Sequence, residues 1–147
     1  MRKIKFRGKA LTTVLGICEE GDWAHGYFVS SDDGYRAYII GPVVEENSDE
    51  FWPAFWVPVN SDTVGQFVGL QDMHGKELYE GDIVQVFDTE FKGSFKGVIK
   101  FGDGSFYIDG LNGITNYRWQ DYEVELMGNI YDNPCHWRWL CDAGSKA

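Results

Sequence analysis

Glycine stands beside aspartate at one corner after another of this 147-residue sequence: Gly21-Asp22, Asp33-Gly34, Gly81-Asp82 and Gly102-Asp103-Gly104. Glycine reaches positive φ at little cost, and aspartate accepts hydrogen bonds from nearby backbone N–H groups, so such pairs bend the chain sharply. Corners this close together leave room for strands, and no segment keeps a helical apolar period for three turns. The expectation is an all-β protein built from hairpins. With 44% apolar and 16% aromatic residues, the chain has enough core-forming material for one domain or two small β units without disulfide or metal staples.

The strands can be placed by alternation and turn chemistry. Lys3 to Lys9 alternates basic residues with Ile4 and Phe6 and reads as a first strand. Trp23 to Val29 and Tyr35 to Ile40, joined by the Ser-Ser-Asp-Asp-Gly turn, continue a meander. Residues 41–62 carry Glu45, Glu46, Asp49 and Glu50 and then Pro53 and Pro58. Proline cannot donate to a ladder, so this stretch reads as a loop followed by an edge strand and marks a boundary. Thr63 to Leu70 is the next strand, Asp72 to Gly75 a type I turn, and Lys76 to Tyr79 its return. Gly81-Asp82 then turns into Ile83 to Phe87, Gly102 to Ser105 joins Val98–Phe101 to Phe106–Ile108, and Tyr122 to Leu126 closes the series. Five short strands with tight turns suggest a small barrel. The division expected is an N-terminal β-rich meander over 1–60, a barrel over 61–134 and a tail over 135–147.

Charge narrows the partner classes. The formal net charge is −10, yet Arg2, Lys3, Lys5, Arg7 and Lys9 all lie in the first nine residues with no acid among them. Thirteen basic residues less these five leaves eight against 23 acids, so the rest of the chain carries −15. Such a body does not suit general binding to phosphate backbones, which requires clustered Lys and Arg. The basic strand reads first as a partner for acidic neighbours, and second as a nucleic-acid arm or a contact between subunits. A third reading makes the acidic face a mimic of nucleic acid.

Reactive chemistry finds little footing. Cys18, Cys135 and Cys141 form no disulfide framework, and Cys135 with His136 and Cys141 matches no common zinc spacing. No apolar run has spanning length, so the expectation is a soluble cytoplasmic protein with reduced thiols and no membrane association. His74 falls at a turn tip and His25 within a strand, neither beside a nucleophile in sequence. The acid pairs Glu80/Asp82 and Asp121/Glu123 have the i, i+2 spacing that shares one strand face, but in so acidic a chain this spacing arises by chance. The glycines from Gly65 to Gly81 lack the helix and the Lys-Ser/Thr of a phosphate loop and read as turns. No catalytic residue, metal or cofactor is expected. Phe51, Trp52, Phe55 and Trp56 read as core or subunit interface before ligand stacking.

Four segments in fixed order, "IKFRGK", "DWAHGYFV", "TVGQFVGLQDMHGKELYEGDIV" and "MGNIYDNP", resemble the YopX family of small proteins encoded by bacteriophages and prophages. The resemblance implies a β-rich fold with an SH3-like C-terminal part, a mobile-element origin and homo-oligomerisation; it implies no reaction. The motif positions that match include Gly65, Gln66, Gly69, Asp72, Gly75, Tyr79, Gly81, Asp82, Gly128 and Asn129. The stretch "ALTTVLGICEE" and the aromatic ending "CHWRWLCDAGSKA" depart from the family pattern. Trp137 and Trp139, alternating with Arg138, suit a terminal strand docking on a partner. The function expected is that of a non-enzymatic accessory module that self-associates and binds a host or phage protein through strand edges or aromatic surface. Arg2, Lys3, Lys5, Arg7, Trp52, Phe55, Trp56, Trp137 and Trp139 are its candidate contacts.

Overall fold

The computed structural model describes residues 2–88, 93–110, 113 and 115–133. It is all-β, with two short 3-10 turns, Ser61–Thr63 and Trp119–Asp121, and no α-helix among the described residues. The chain divides into two compact units, Met1–Phe67 and Val68–Ala147.

In the first unit, β1 (Phe6–Lys9), β2 (Trp23–Ser30), β3 (Ala37–Ile40), β6 (Trp56–Val59) and the start of β7 (Gly65–Gln71) lie in the order β6-β3-β2-β1-β7. All the pairings are antiparallel, with Phe6 opposite both Gly26 and Gln66. Alternation works as expected in β2: Ala24 is buried while His25, Tyr27 and Val29 are exposed. The core gathers Ala10, Ala24, Ala37, Ile39, Val57 and Val59, with Phe6, Phe28 and Phe55 packed against it. Gly8 permits that packing, because a β-carbon there would stand 2.9 Å from a Val59 methyl.

Three readings need correction in this unit. The first strand begins at Phe6, so Ile4 lies outside the ladder and is exposed. The third strand begins at Ala37, two residues after Tyr35, because Ser31 and Asp33 hold the turn open to Arg36. Residues 43–53 form an acidic hairpin where a loop was expected: β4 (Val43–Glu46) pairs with β5 (Phe51–Pro53), and Asn47 Oδ1 accepts from the N–H groups of Asp49 and Glu50 at its tip. The edge-strand reading of Pro58 holds, since β6 lies at the end of its sheet and Pro58 pairs with Tyr38.

In the second unit, β9 (Asp82–Asp88), β10 (Gly93–Gly102), β11 (Ser105–Gly110), β12 (Thr115–Asn116) and β13 (Glu123–Asn129) form a five-stranded sheet in the order β12-β11-β10-β9-β13. The end of β7 and β8 (Glu77–Tyr79) flank the Asp72 turn. The Gly-Asp-Gly-Ser corner joins β10 to β11 as expected: Asp103 and Gly104 have φ of 50° and 82°, the positive pair of a type I′ turn, with Gly102 opposite Ser105. The core comprises Leu78, Val84, Val86, Ile99, Ile108, Trp119 and Val124. The sheets do not close into a barrel among the described residues.

Candidate interaction surface

The central motif is a set of backbone clamps. Gly69, Gly75 and Gly81 have φ of 89°, 82° and 88°, which explains glycine at each. Asp72 is buried and spends its whole carboxylate on the main chain. Its Oδ1 accepts from the N–H groups of His74 (2.8 Å) and Lys76 (2.9 Å), and its Oδ2 from that of Leu126 (3.0 Å). Asp82, also buried, accepts from the Tyr79 N–H at 2.7 Å. Asn129 does the same after β13, its Oδ1 accepting from Tyr131 and Asp132. Gly128 leaves room there for Asn133 Oδ1, which would stand 2.5 Å from a β-carbon. Gly65 and Gln66 pair with Arg7 and Phe6.

The acid pairs lie in and beside these turns. Asp82 is turned to the backbone, Glu80 lies in the turn before it, and Asp121 faces Arg118 at 3.3 Å. A recess of ≈ 310 Å³ is lined by Asp72, Met73, Trp119, Tyr122 and Glu123, but its buried carboxylate is committed to three N–H groups. His74 stands at the turn as expected and reaches Glu125 at 3.1 Å. Among the described residues no group of three His, Cys, Asp or Glu is placed to hold a metal ion, and no helix is long and apolar enough to cross a membrane. Cys135, His136, Cys141, Trp137 and Trp139 lie outside the described residues.

The basic strand is largely absorbed into the first unit. Arg7 is only 7% exposed and its guanidinium lies 4.3 Å from the centroid of the Trp23 ring, while Lys9 Nζ lies 4.8 Å from the same ring. Lys5 Nζ stands 5.2 Å from the Phe67 ring. Arg7 is therefore no exposed phosphate contact; its cation rests on an indole face, an arrangement worth about 1–2 kcal/mol when partly desolvated. Arg2 and Lys3 remain exposed. Arg7→Ala is expected to cost about 2 kcal/mol in chemical denaturation, through lost packing and lost cation–π contact, whereas Arg2→Ala with Lys3→Ala should stay within about 0.5 kcal/mol of the parent.

The aromatic residues form the surface that the clamps do not use. Phe55 packs on Gly41, where a β-carbon would meet its ring at 2.6 Å, and so belongs partly to the core. Trp56, 64% exposed, is the shared wall of two recesses. One, of ≈ 410 Å³, is lined by Val29, Tyr38, Ile40 and Trp56 on the outward face of β2, β3 and β6. The other, also of ≈ 410 Å³, is walled by Val14, Leu15, Ile17, Trp52, Phe55 and Trp56. Leu15, 93% exposed, lies in the long connection that departs from the family pattern, a stretch read as able to carry a partner contact, although Leu15 itself was not singled out.

The YopX family model matches residues 31–136. The chain belongs to the YopX family. That span takes in the Asp72 and Asp82 clamps, the Asn129 turn and the aromatic hairpin of this YopX-family protein. It is similar to the crystal structure of protein EF1440 from Enterococcus faecalis, with a TM-score of 0.59 and 19% identity over 94% of this chain and 100% of that one, a likeness of fold alone. No curated protein matches it.

Proposed function

We propose that this YopX-family protein is a non-enzymatic accessory module of phage or prophage origin that works in the host cytoplasm, self-associates and binds a protein partner. Its second unit is read as an SH3-like barrel derivative that serves as scaffold. The observation that carries the reading is Trp56, standing between two apolar recesses with Trp52 at 55% and Phe51 at 60% exposure nearby. Aromatic side chains offered to solvent in one contiguous region are typical of interaction surfaces.

Of the two modes expected, strand edges and aromatic surface, the second has the better support. The outer edge of β13 is already engaged: the Val124 carbonyl accepts from the Met73 N–H at 2.8 Å and the Leu126 N–H donates to Asp72. At the edge of β6 the Pro58 carbonyl accepts from Leu11 at 2.9 Å, and proline has no N–H to offer. Edges plugged in this way resist pairing with another chain. The recess on the face of β2, β3 and β6 has four uncharged walls, which suits contact between like copies.

In size exclusion with light scattering, the protein is expected to run above its chain mass of 16.8 kDa. Trp56→Ser should shift it toward that mass. A monomer at micromolar concentration removes self-association from this reading. The nucleic-acid reading is disfavoured by the burial of Arg7 and the overall charge of −10, and absence of binding at low salt would end it.

A further inference from the structure

We propose that the groove between Trp52 and Trp56 takes a cationic segment of another protein, one that places an apolar side chain between flanking Lys or Arg residues. This rests on the reading of the aromatic surface as a protein-binding surface, and it names the chemistry of the partner.

The groove has an apolar lining, and acidic residues stand in the segments next to it. Its walls are Val14, Leu15 and Ile17 on one side and Trp52, Phe55 and Trp56 on the other. Behind Leu15 and Ile17 the same turn continues into Glu19 and Asp22, which line the adjoining recess together with them. On the opposite bank Trp52 arises from the β4–β5 hairpin, where Glu46 pairs with Phe51 and Glu45 with Trp52, and Phe55 and Trp56 follow it toward β6. Asp49 and Glu50 follow at the tip, and Glu46, Asp49 and Glu50 are exposed. Neither recess has a Lys or Arg in its lining. The hairpin belongs to no larger sheet among the described residues and presents Val43, Val44, Phe51 and Trp52 to solvent. A two-stranded ribbon of that composition is marginal in water and gains from a partner.

Charge decides which partner. A second copy laid hairpin to hairpin would set Glu46, Asp49 and Glu50 against their equivalents, and like charges brought together cost affinity. A cationic segment meets complementary charge from the acids of the neighbouring turn and hairpin while its apolar residue fills the floor. The uncharged face of β2, β3 and β6 then remains for self-association.

The test uses the full chain and two labelled peptides, one alternating lysine with valine and one alternating glutamate with valine, in fluorescence polarisation at low and high salt. The lysine peptide is expected to bind about tenfold or more tightly than the glutamate peptide, and its advantage should shrink as salt screens it. Glu19→Lys with Glu50→Lys should remove most of that preference, and Trp52→Ser should abolish binding; all three residues are exposed, so circular dichroism of the variants should match the parent. Equal binding of the two peptides, or a preference untouched by the charge reversal, overturns the proposal while leaving an aromatic protein-binding surface standing. Binding of the lysine peptide that survives Trp52→Ser overturns it as well. If Arg2→Glu with Lys3→Glu abolishes self-association, the acidic groove belongs to a second copy and the proposal also fails. Loss of self-association in Val29→Ser, a residue that lines only the uncharged face, with the peptide preference intact would separate the two faces as proposed.

Discussion

Replacing Asp72 with alanine is expected to destabilise the second unit by about 3 kcal/mol, because three backbone N–H groups lose a charged acceptor and that of Leu126 lies at a strand edge the turn had covered. Asp72→Asn keeps one oxygen and should cost about half as much. The pH dependence has a definite sign. Burial pushes the Asp72 carboxyl up, but the N–H groups of Leu126, Lys76 and His74 and the charge of the His74 ring together hold it below its ordinary value of 3.8. A carboxyl depressed by folding contributes stability that is fully present above its unfolded value, about pH 4, and is lost as the pH falls through the lower folded value. Urea denaturation at neutral and acid pH should therefore show the parent losing its advantage over Asp72→Asn only below about pH 4. An unchanged advantage at acid pH would show that the charge on Asp72 does not matter. Because the same turn plugs the edge of β13, Asp72→Ala should also associate at concentrations where the parent does not.

Trp119→Ala should be the most damaging single change, at about 4 kcal/mol. The ring is 1% exposed and packs with Val84, Val86, Ile99, Ile108 and Val124, and its Nε1 donates to the Phe106 carbonyl at 3.1 Å. Trp119→Phe retains most of the apolar contact and loses the hydrogen bond, so about 1–2 kcal/mol is expected. Denaturation followed by far-ultraviolet circular dichroism and by hydrogen exchange of the β9–β11 amides would measure both. Protection of those amides in Trp119→Ala equal to the parent would contradict its place in the core.

Much of the fold was legible because the turn chemistry is explicit. Asp103-Gly104 announces its hairpin, Asp72 and Gly75 their turn, and Val124 against Glu123 the inner and outer faces of β13. Several misses share a cause: they depend on contacts distant in sequence. Arg7 looks like a solvent-facing member of a basic strand until Trp23, across the ladder, covers it. Trp119 lies in a 3-10 turn too short to show periodicity, and its partners come from five other segments. Residues 43–53 read as a loop because Pro53 and the acids speak against strand, whereas Asn47 supplies a turn tight enough to pair the flanks. The aromatic surface was half legible: the tryptophans were visible, but Leu15 and Ile17 approach them only in the folded chain.

The pairing of β1 with β7 bears on how this chain is made. Phe6 lies between Gly26 and Gln66, so a strand made before both its neighbours receives the second of them about sixty positions later. Until then one side of that strand has hydrogen-bonding groups without their final ladder, and local hairpins form well before so long a loop can close. Slowing translation once residue 67 has emerged from the ribosome should thus let the first unit mature, whereas a pause before residue 65 has emerged would hold it at its most adhesive stage.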